Sequence, residues 1–242
     1  MFRAAVDAAP VPFLSKDFSM SSDDFKRWKR MQSEQRNMTV FKMVVDKLFQ
    51  IIPPVPQYEE VSPKRCNTCA VVGNSGNLKG SHYGDLIDSH DIVIRMNRGH
   101  TKGYEEDVGT KTTHHVMYPE SATNLANTTR LVFFAFKIND LEWLLRTMTP
   151  ENKNSPKRAN KDLVMIINPA FMIYAHKVWL QSKGHYPSTG FFTVILSLQM
   201  CDVVNVFGFG ADRAGNWNHY FEKAVEGRGT QGHGCEGESK RA

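Results

Sequence analysis

Six short apolar runs recur between residues 69 and 210, separated by polar or helical stretches. They are continuous rather than alternating, so each predicts a strand buried on both faces, as in a parallel sheet. Helical patterns lie at about residues 139–148, 169–180 and 188–200. This order predicts an α/β fold, with a Rossmann-like, mostly parallel central sheet flanked by helices. The six runs are residues 69–73, 91–97, 114–118, 130–136, 163–168 and 203–210.

A helical region precedes the strands, over residues 21–50. Polar residues from Ser21 onward can cap a first helix, and Phe25, Trp28 and Met31 then recur at helical spacing. We expect a break at Asn37, and a proline-rich connector over residues 51–64 ends the region. The predicted organisation is a flexible N-terminus (1–20), one catalytic domain (21–222) with a helical N-terminal part (21–50), and an atypical tail (223–242). The tail is rich in glycine and charge, which predicts disorder.

Composition narrows the class of protein. A chain of 242 residues with 41% hydrophobic and 23% charged residues is typical of one globular domain. The net charge of +5 is spread along the chain and not gathered in a stripe, which argues against nucleic acid as a partner. The sequence has neither a run of about 20 apolar residues nor a good signal peptide. Taken literally, it predicts a soluble chain.

The four cysteines are Cys66, Cys69, Cys201 and Cys235. Cys66 and Cys69 have the spacing of a zinc or redox pair, but Cys201 and Cys235 do not supply a second pair of zinc ligands. Cys69 opens a predicted strand and Cys201 closes a predicted helix, positions compatible with a disulfide. The sequons at Asn37 and Asn127, together with these cysteines, favour the secretory lumen.

A glycine-containing loop follows the first strand, with the sequence Gly73-Asn-Ser-Gly-Asn77. Backbone N–H groups beside a helix start favour anions, and asparagine tolerates the left-handed backbone of a tight turn. An ordinary β-turn is the alternative. The third glycine of a dinucleotide-binding loop is missing, and Asn97 stands where an acidic residue would follow the next strand. Both features argue against NAD.

Two further loops carry candidate chemistry. Pro187 to Gly190 form a turn and a helix start, which suits a phosphate or carboxylate but also fits simple capping. The loop after the last strand runs from Gly208 to Glu222 and contains Trp217 and His219. A histidine there can be a site residue or a structural one. In the tail, His233 and Glu238 have the spacing of a histidine and the carboxylate that orients it as a base.

Together these stretches resemble the eukaryotic sialyltransferases. The segment "CAVVGNSGNLKGSHYGDLIDSHDIVIRMNRGHTKGYEEDVGTKTTHH" is similar to their long sialylmotif. The segment "NPAFMIYAHKVWLQSKGHYPSTGFFTVILSLQMCDVVNVFGFG" is similar to the short one, and "HYFE" to motif III. The subgroup that adds sialic acid α2,3 to the galactose of Galβ1,3GalNAc is the most similar, because "RWKRMQ" and "DVGTKTTHH" also fit it. The resemblance covers residues 25–222.

The resemblance implies an inverting transferase that takes sialic acid from CMP-sialic acid on a variant GT-A-type fold, with no metal or other cofactor. It implies a disulfide between Cys69 and Cys201, with His219 steadying the donor phosphate and His233 as catalytic base. Acceptor or ligand contacts fall on Gln32 and Tyr186. Donor contacts fall on Asn74, Ser75, Asn97, Ser188, Thr189, Gly190, Gly210 and Trp217.

The implied partners are CMP-sialic acid and O-glycans or glycolipids ending in Galβ1,3GalNAc, and the implied location is the Golgi lumen or membrane. Members of the family are membrane-anchored, whereas this sequence shows no anchor. An alternative is a truncated or non-catalytic isoform that binds the CMP-sugar but lacks a working base. The residues after Glu222 separate the two hypotheses.

Overall fold

The six predicted strands form a single sheet in the computed structural model, which describes residues 2–31, 33–56, 66–149 and 159–222. The strand order is β5-β4-β3-β2-β1-β6, and every neighbouring pair is parallel. The predicted fold class is therefore confirmed. The strands are β1 (Thr68–Val72), β2 (Ile92–Met96), β3 (His114–Met117), β4 (Arg130–Phe133), β5 (Val164–Ile166) and β6 (Val203–Phe207).

Helices cover the sheet, and the helices expected from the apolar spacing are present. A π-helical turn, Ala175–Trp179, extends the helix that begins at Pro169. Within the described residues, three short α-helices were not predicted by the pattern: α1 near the N-terminus, and α4 and α5 between β1 and β3. The helices are α1 (Phe2–Asp7), α2 (Ser22–Met31), α3 (Met38–Leu48), α4 (Gly84–Asp88), α5 (Glu105–Val108), α6 (Ile138–Met148), α7 (Pro169–Tyr174) and α8 (Thr189–Met200).

The helical region begins and breaks where its polar residues predict. Ser21 Oγ accepts the N–H of Asp24 at 3.0 Å, and Asn37 Oδ1 accepts the N–H of Val40 at 3.1 Å and so caps α3. Trp28 is fully buried, and its Nε1 donates to the carbonyl of Ala135 at 3.2 Å. This bond fixes α2 to the chain that leaves β4, at the carboxyl edge of the sheet.

The N-terminal segment differs from the expected flexible extension. Phe13 and Leu14 are buried in the core, and the N–H of Leu14 donates to Ile166 O at 2.8 Å. Phe13 also forms an antiparallel bridge with Ile167, just past β5. A flexible chain was predicted for this part of residues 1–20 because its apolar residues are too few to form a periodic pattern. They are nevertheless enough to cover the end of β5, so the prediction is wrong there. The domain boundaries themselves stay a prediction.

The last strand lies beside the first, although four strands separate them in the chain. The carboxyl ends of the three strands at this side of the sheet align, because Val72 of β1 pairs with both Arg95 of β2 and Phe207 of β6. Strand order reverses between β1 and β6, and ligands of open α/β sheets bind at the carboxyl ends beside such a reversal. As the edge strand, β6 exposes Val203 and Val206, so it is not buried on both faces as its apolar run predicted.

Candidate active site at the carboxyl edge of the sheet

The loops that leave β1 and β6 are bonded to each other along their length. The N–H of Ser75 donates to Gly208 O at 3.0 Å, and the Ser75 hydroxyl donates to Gly210 O at 2.6 Å. Asn77 Nδ2 donates to Phe209 O at 2.7 Å. Ser75 therefore holds the loop pair together, and its hydroxyl is engaged within the protein; its predicted role as a donor contact stays a prediction.

Helix α8 begins against the same loops. Ser188 caps it by accepting the N–H of Phe191 at 3.3 Å, and the first free N–H groups of the helix belong to Thr189 and Gly190. A methyl group on Gly190 would lie 2.9 Å from the ring of Phe209 and 3.7 Å from Met96 Sδ. A side chain at this position would therefore displace the ring of Phe209, and the positive end of the helix dipole lies there.

Two asparagine side chains at this edge keep an unpaired oxygen. Asn74 Nδ2 donates to Met96 O at 3.2 Å, which fixes the amide, while Asn74 Oδ1 is buried without a partner among the described residues. Asn97 Oδ1 is in the same state. A buried acceptor without a donor costs about 1–3 kcal/mol. Hydroxyl or amino groups of a ligand would satisfy both oxygens, and CMP carries such groups on its ribose and its base.

The segment with His219 is attached to the β1 loop by backbone hydrogen bonds. His219 and Ser75 form an antiparallel bridge, and the N–H of Gly76 donates to Asn218 O at 2.7 Å. The N–H of Tyr220 donates to Asn74 O at 2.9 Å, and its fully buried ring packs beneath the loop. His219 is thus brought beside Asn74 although 145 residues of sequence separate them.

Glu222 orients the ring of His219. Its Oε1 lies 2.8 Å from His219 Nδ1, and its Oε2 accepts the N–H of His219 at 3.0 Å. Partial burial alone would raise the pKa of Glu222, but these hydrogen bonds outweigh it and lower the pKa, so the carboxylate is ionised at neutral pH. With Nδ1 held by the carboxylate, Nε2 is the nitrogen left for a ligand.

Exposed aromatic residues lie further along the edge. Trp217 is 68% exposed, on a turn in which Asp212 accepts the N–H of Asn216 at 2.8 Å. Tyr186 is 42% exposed, and its ring packs edge-on against Phe136 with centroids 5.2 Å apart. No contact between these two aromatic residues and His219 is present within the described ranges. Their assignments as donor and acceptor contacts stay predictions.

The remaining predicted site residues are Gly210 and three residues that the structure does not describe. Gln32 and the pair His233 and Glu238 fall outside the described residues, so their roles stay predictions. Gly210 lies at the site with a left-handed φ of 87°, which favours glycine. Within the described ranges, no cluster of three or more His, Cys, Asp or Glu residues has the geometry to hold a metal ion.

The predicted disulfide between Cys69 and Cys201 is confirmed. It joins the start of β1 to the end of α8, across 132 residues of sequence, at the amino edge of the sheet. It therefore holds α8 in place from the end opposite the site. No helix in the described part of the chain is both long and apolar enough to cross a lipid bilayer.

Some site residues could not be recognised from sequence. The carbonyl of Met96 anchors Asn74, and Gly99 packs against Asn74 Oδ1, where a methyl group would lie 2.9 Å away. An aromatic cluster of Tyr118, Phe134 and Phe136 lies past β3 and β4. The sequence does contain one signal that could have identified this cluster: it comes directly after two buried strands, where ligand-contacting residues gather.

Comparison with known proteins agrees with this geometry. The profile of glycosyltransferase family 29 (sialyltransferase) matches residues 13–241. A rat CMP-N-acetylneuraminate-beta-galactosamide-alpha-2,3-sialyltransferase 2 is 43% identical over 91% of this chain and 65% of its own length. The human sialyltransferase 1 of the same description is 42% identical over 87% of this chain and 64% of its own. This chain thus spans a little less than two thirds of these relatives.

Two solved structures are also similar to this chain. A crystal structure of a mammalian sialyltransferase has a TM-score of 0.82 at 42% identity, covering 91% of this chain and 84% of its own. A crystal structure of a mammalian sialyltransferase in complex with Gal-beta-1-3GalNAc-ortho-nitrophenol has a TM-score of 0.82 at 41% identity, covering 93% and 87%. The chain therefore belongs to glycosyltransferase family 29, the sialyltransferases.

Proposed function

We propose that this protein transfers sialic acid from CMP-sialic acid to the 3-hydroxyl of a terminal galactose, with inversion and without a metal ion. The observation that carries the proposal is that the buried amide oxygens of Asn74 and Asn97 have no hydrogen-bond partner in the part of the chain that the structure describes. They lie at the strand-order reversal, between the start of α8 and the His219 loop. The two amide oxygens would accept hydrogen bonds from the nucleoside. The N–H groups at the start of α8 and the ring of His219 would contact a phosphate.

The donor half of the reaction depends on charge. When the bond between C2 of sialic acid and the phosphate oxygen breaks, the bonding electrons go to CMP and the sugar becomes oxocarbenium-like. N–H groups of Thr189 and Gly190 and the ring of His219, oriented by Glu222, would stabilise the growing phosphate charge. Such preorganised groups act before the bond is fully broken, which is why they accelerate departure.

The acceptor half needs a base. The galactose 3-oxygen forms the new bond to C2 and gives its proton to a general base, which inversion places opposite the leaving CMP. We assign this role to His233, with Glu238 orienting it, and the acceptor contacts to Gln32 and Tyr186. Support for Galβ1,3GalNAc as acceptor comes from the similar mammalian enzyme solved with a derivative of that disaccharide.

The Golgi lumen is the proposed location. A structural disulfide such as Cys69–Cys201 forms and persists in oxidising compartments and is rare in the cytosol. Within the family, acceptors are glycans of proteins and lipids that pass through this compartment, so the proposed substrates and the disulfide agree.

The test is a transfer assay with purified protein, CMP-sialic acid and a Galβ1,3GalNAc acceptor. We expect CMP release, a product cleaved by an α2,3-specific sialidase, unchanged rates in EDTA, and loss of turnover with unchanged CMP affinity in His233→Ala. CMP binding without turnover would favour the alternative, a non-catalytic isoform that lacks a working base. Absence of CMP binding would overturn both.

A further inference from the structure

Two consecutive histidines on β3 are buried, although neither is part of the proposed chemistry. His114 and His115 are at most 4% exposed. Because successive side chains of a strand point to opposite faces, the two rings have different surroundings. His114 Nδ1 lies 2.9 Å from the hydroxyl of its neighbour Thr113, whereas His115 Nε2 lies 2.7 Å from the backbone carbonyl of Asn97.

The protonation state of His115 follows from these surroundings. Burial lowers the pKa of His115 to about 4, the Asn97 carbonyl opposes this, and the nearby Arg95 lowers it further. The ring is therefore neutral at physiological pH. A carbonyl oxygen can only accept, so the single ring proton is on Nε2 and is donated to Asn97.

The backbone of Asn97 has an unusual conformation that this bond helps to hold. Its φ is 54°, in the left-handed region that side-chain-bearing residues enter at a cost of about 1 kcal/mol. Its N–H donates to Val116 O at 2.8 Å, and its carbonyl accepts from His115. Both backbone polar groups are thus bonded to β3, and Asn97 Oδ1 is buried without a partner among the described residues.

We propose that His115 is a positioning residue for the donor nucleotide: its Nε2–H fixes the left-handed turn that aims the Asn97 amide into the site. The proposal rests on the proposed function, because it takes Asn97 as a donor contact. A leucine or phenylalanine would fill the same buried space without the cost of desolvating an imidazole. What an apolar residue cannot supply is the N–H directed at the Asn97 carbonyl.

The test compares His115→Leu with His115→Gln, whose side-chain amide can donate from about the position of Nε2. The matched control is His114→Leu, which removes the neighbouring buried imidazole from the other face of β3. CMP affinity is measured by titration calorimetry at pH 7.5, and folding by circular dichroism and urea denaturation. We expect His115→Leu to bind CMP at least about tenfold more weakly. His115→Gln and His114→Leu should stay within about threefold of the parent.

Turnover gives a second readout that a purely structural role would not move. We expect His115→Leu to raise KM for CMP-sialic acid while KM for the acceptor is unchanged. A folded His115→Leu variant with parental CMP affinity overturns the role of His115 and leaves the proposed function standing. A parent protein that does not bind CMP overturns the proposed function itself.

A measurement on the parent covers the case in which His115→Leu does not fold. Nitrogen-15 NMR of histidine-labelled protein should show the His115 ring as the Nε2–H tautomer with no titration between pH 5.5 and pH 8, a range above the pKa of about 4. In a second, uniformly nitrogen-15-labelled sample, CMP should shift the Asn97 signals. An Nδ1–H ring, or a ring that titrates in this range, would overturn the proposal.

Discussion

His219 Nδ1 and Glu222 Oε1 lie 2.8 Å apart, and the second carboxylate oxygen of Glu222 accepts the backbone N–H of His219 at 3.0 Å. The ring of His219 also stacks on Phe221, with centroids 5.1 Å apart and planes 15° from parallel. Its orientation is therefore fixed by three contacts from its own segment. Because the carboxylate holds Nδ1, Nε2 is the ring nitrogen left to contact a phosphate.

Glu222→Gln tests this orientation by keeping hydrogen-bond acceptors while removing the charge. We expect CMP to bind about fivefold more weakly at pH 7 because charge-assisted hydrogen bonds are about twice as strong as neutral ones. The measurement is CMP titration calorimetry on the folded variant.

The chain supplies a matched control, since His82 Nδ1 and Glu106 Oε1 form a second exposed pair, also 2.8 Å apart. Glu106→Gln should leave CMP affinity unchanged. If Glu222→Gln and Glu106→Gln lose CMP affinity equally, the loss is a general effect of removing a surface carboxylate and not specific to His219.

Gly99→Ala tests the position of the Asn74 amide. The added methyl group would lie 2.9 Å from Asn74 Oδ1 and 3.2 Å from Met96 O, so the side-chain amide must move. We expect CMP affinity to fall about tenfold or more while the free energy of unfolding changes by less than about 1 kcal/mol.

Gly103→Ala is the comparison, because its φ of 85° penalises alanine although no atom lies within 4 Å of the new methyl group. It should lose stability and keep its CMP affinity. If Gly99→Ala binds CMP as the parent does, the Asn74 amide oxygen is not a donor contact.

Removal of the disulfide should cost stability and spare the site. We expect the double variant Cys69→Ala, Cys201→Ala to lose about 2–5 kcal/mol of unfolding free energy, because the bond closes a long loop in the unfolded chain. Urea denaturation measures the loss. Cys66→Ala, which removes an exposed free thiol, is the control.

CMP affinity below the unfolding transition should change less than about threefold in the disulfide variant, since the bond is at the amino edge of the sheet. A large loss of affinity in a folded variant would mean that the start of α8 moves when its end is released.

Local patterns predicted more of this molecule than long-range pairing did. The strands follow from continuous apolar runs, and the caps at Ser21 and Asn37 follow from polar residues before helical spacing. The placement of β6 beside β1, which brings the loops after the two strands together, depends on pairing between segments more than 130 residues apart and has no local signal. The bond between His115 and Asn97 depends on the pairing of β2 with β3 and on a left-handed turn, neither of which the sequence pattern shows.

Acid should destabilise the fold between about pH 6.5 and pH 4. Burial lowers the pKa of His114 to about 3 and that of His115 to about 4, so the unfolded chain binds more protons in this range. Each histidine lowers the free energy of unfolding by about 1.4 kcal/mol per pH unit as the pH falls. Burial raises the pKa of Asp140 to about 6, so the folded chain binds a proton there, which offsets one histidine below that pH.

Urea midpoints measured from pH 7.5 to pH 4.5 check this, with His115→Gln as the comparison. The urea midpoint of the variant should fall less steeply with decreasing pH, because about one fewer proton is taken up on unfolding. A midpoint that rises on acidification would mean that Asp140 outweighs both histidines.

The central claim is that the loops at the carboxyl ends of β1, β2 and β6 bind the donor nucleotide through Asn74 and Asn97. The most direct measurement is the affinity for CMP of the parent, Asn74→Ala and Asn97→Gly, the last of which tolerates the left-handed backbone while losing the amide. The account predicts that the parent binds CMP and that each variant binds it at least about tenfold more weakly while staying folded. Parental affinity in both folded variants would contradict it.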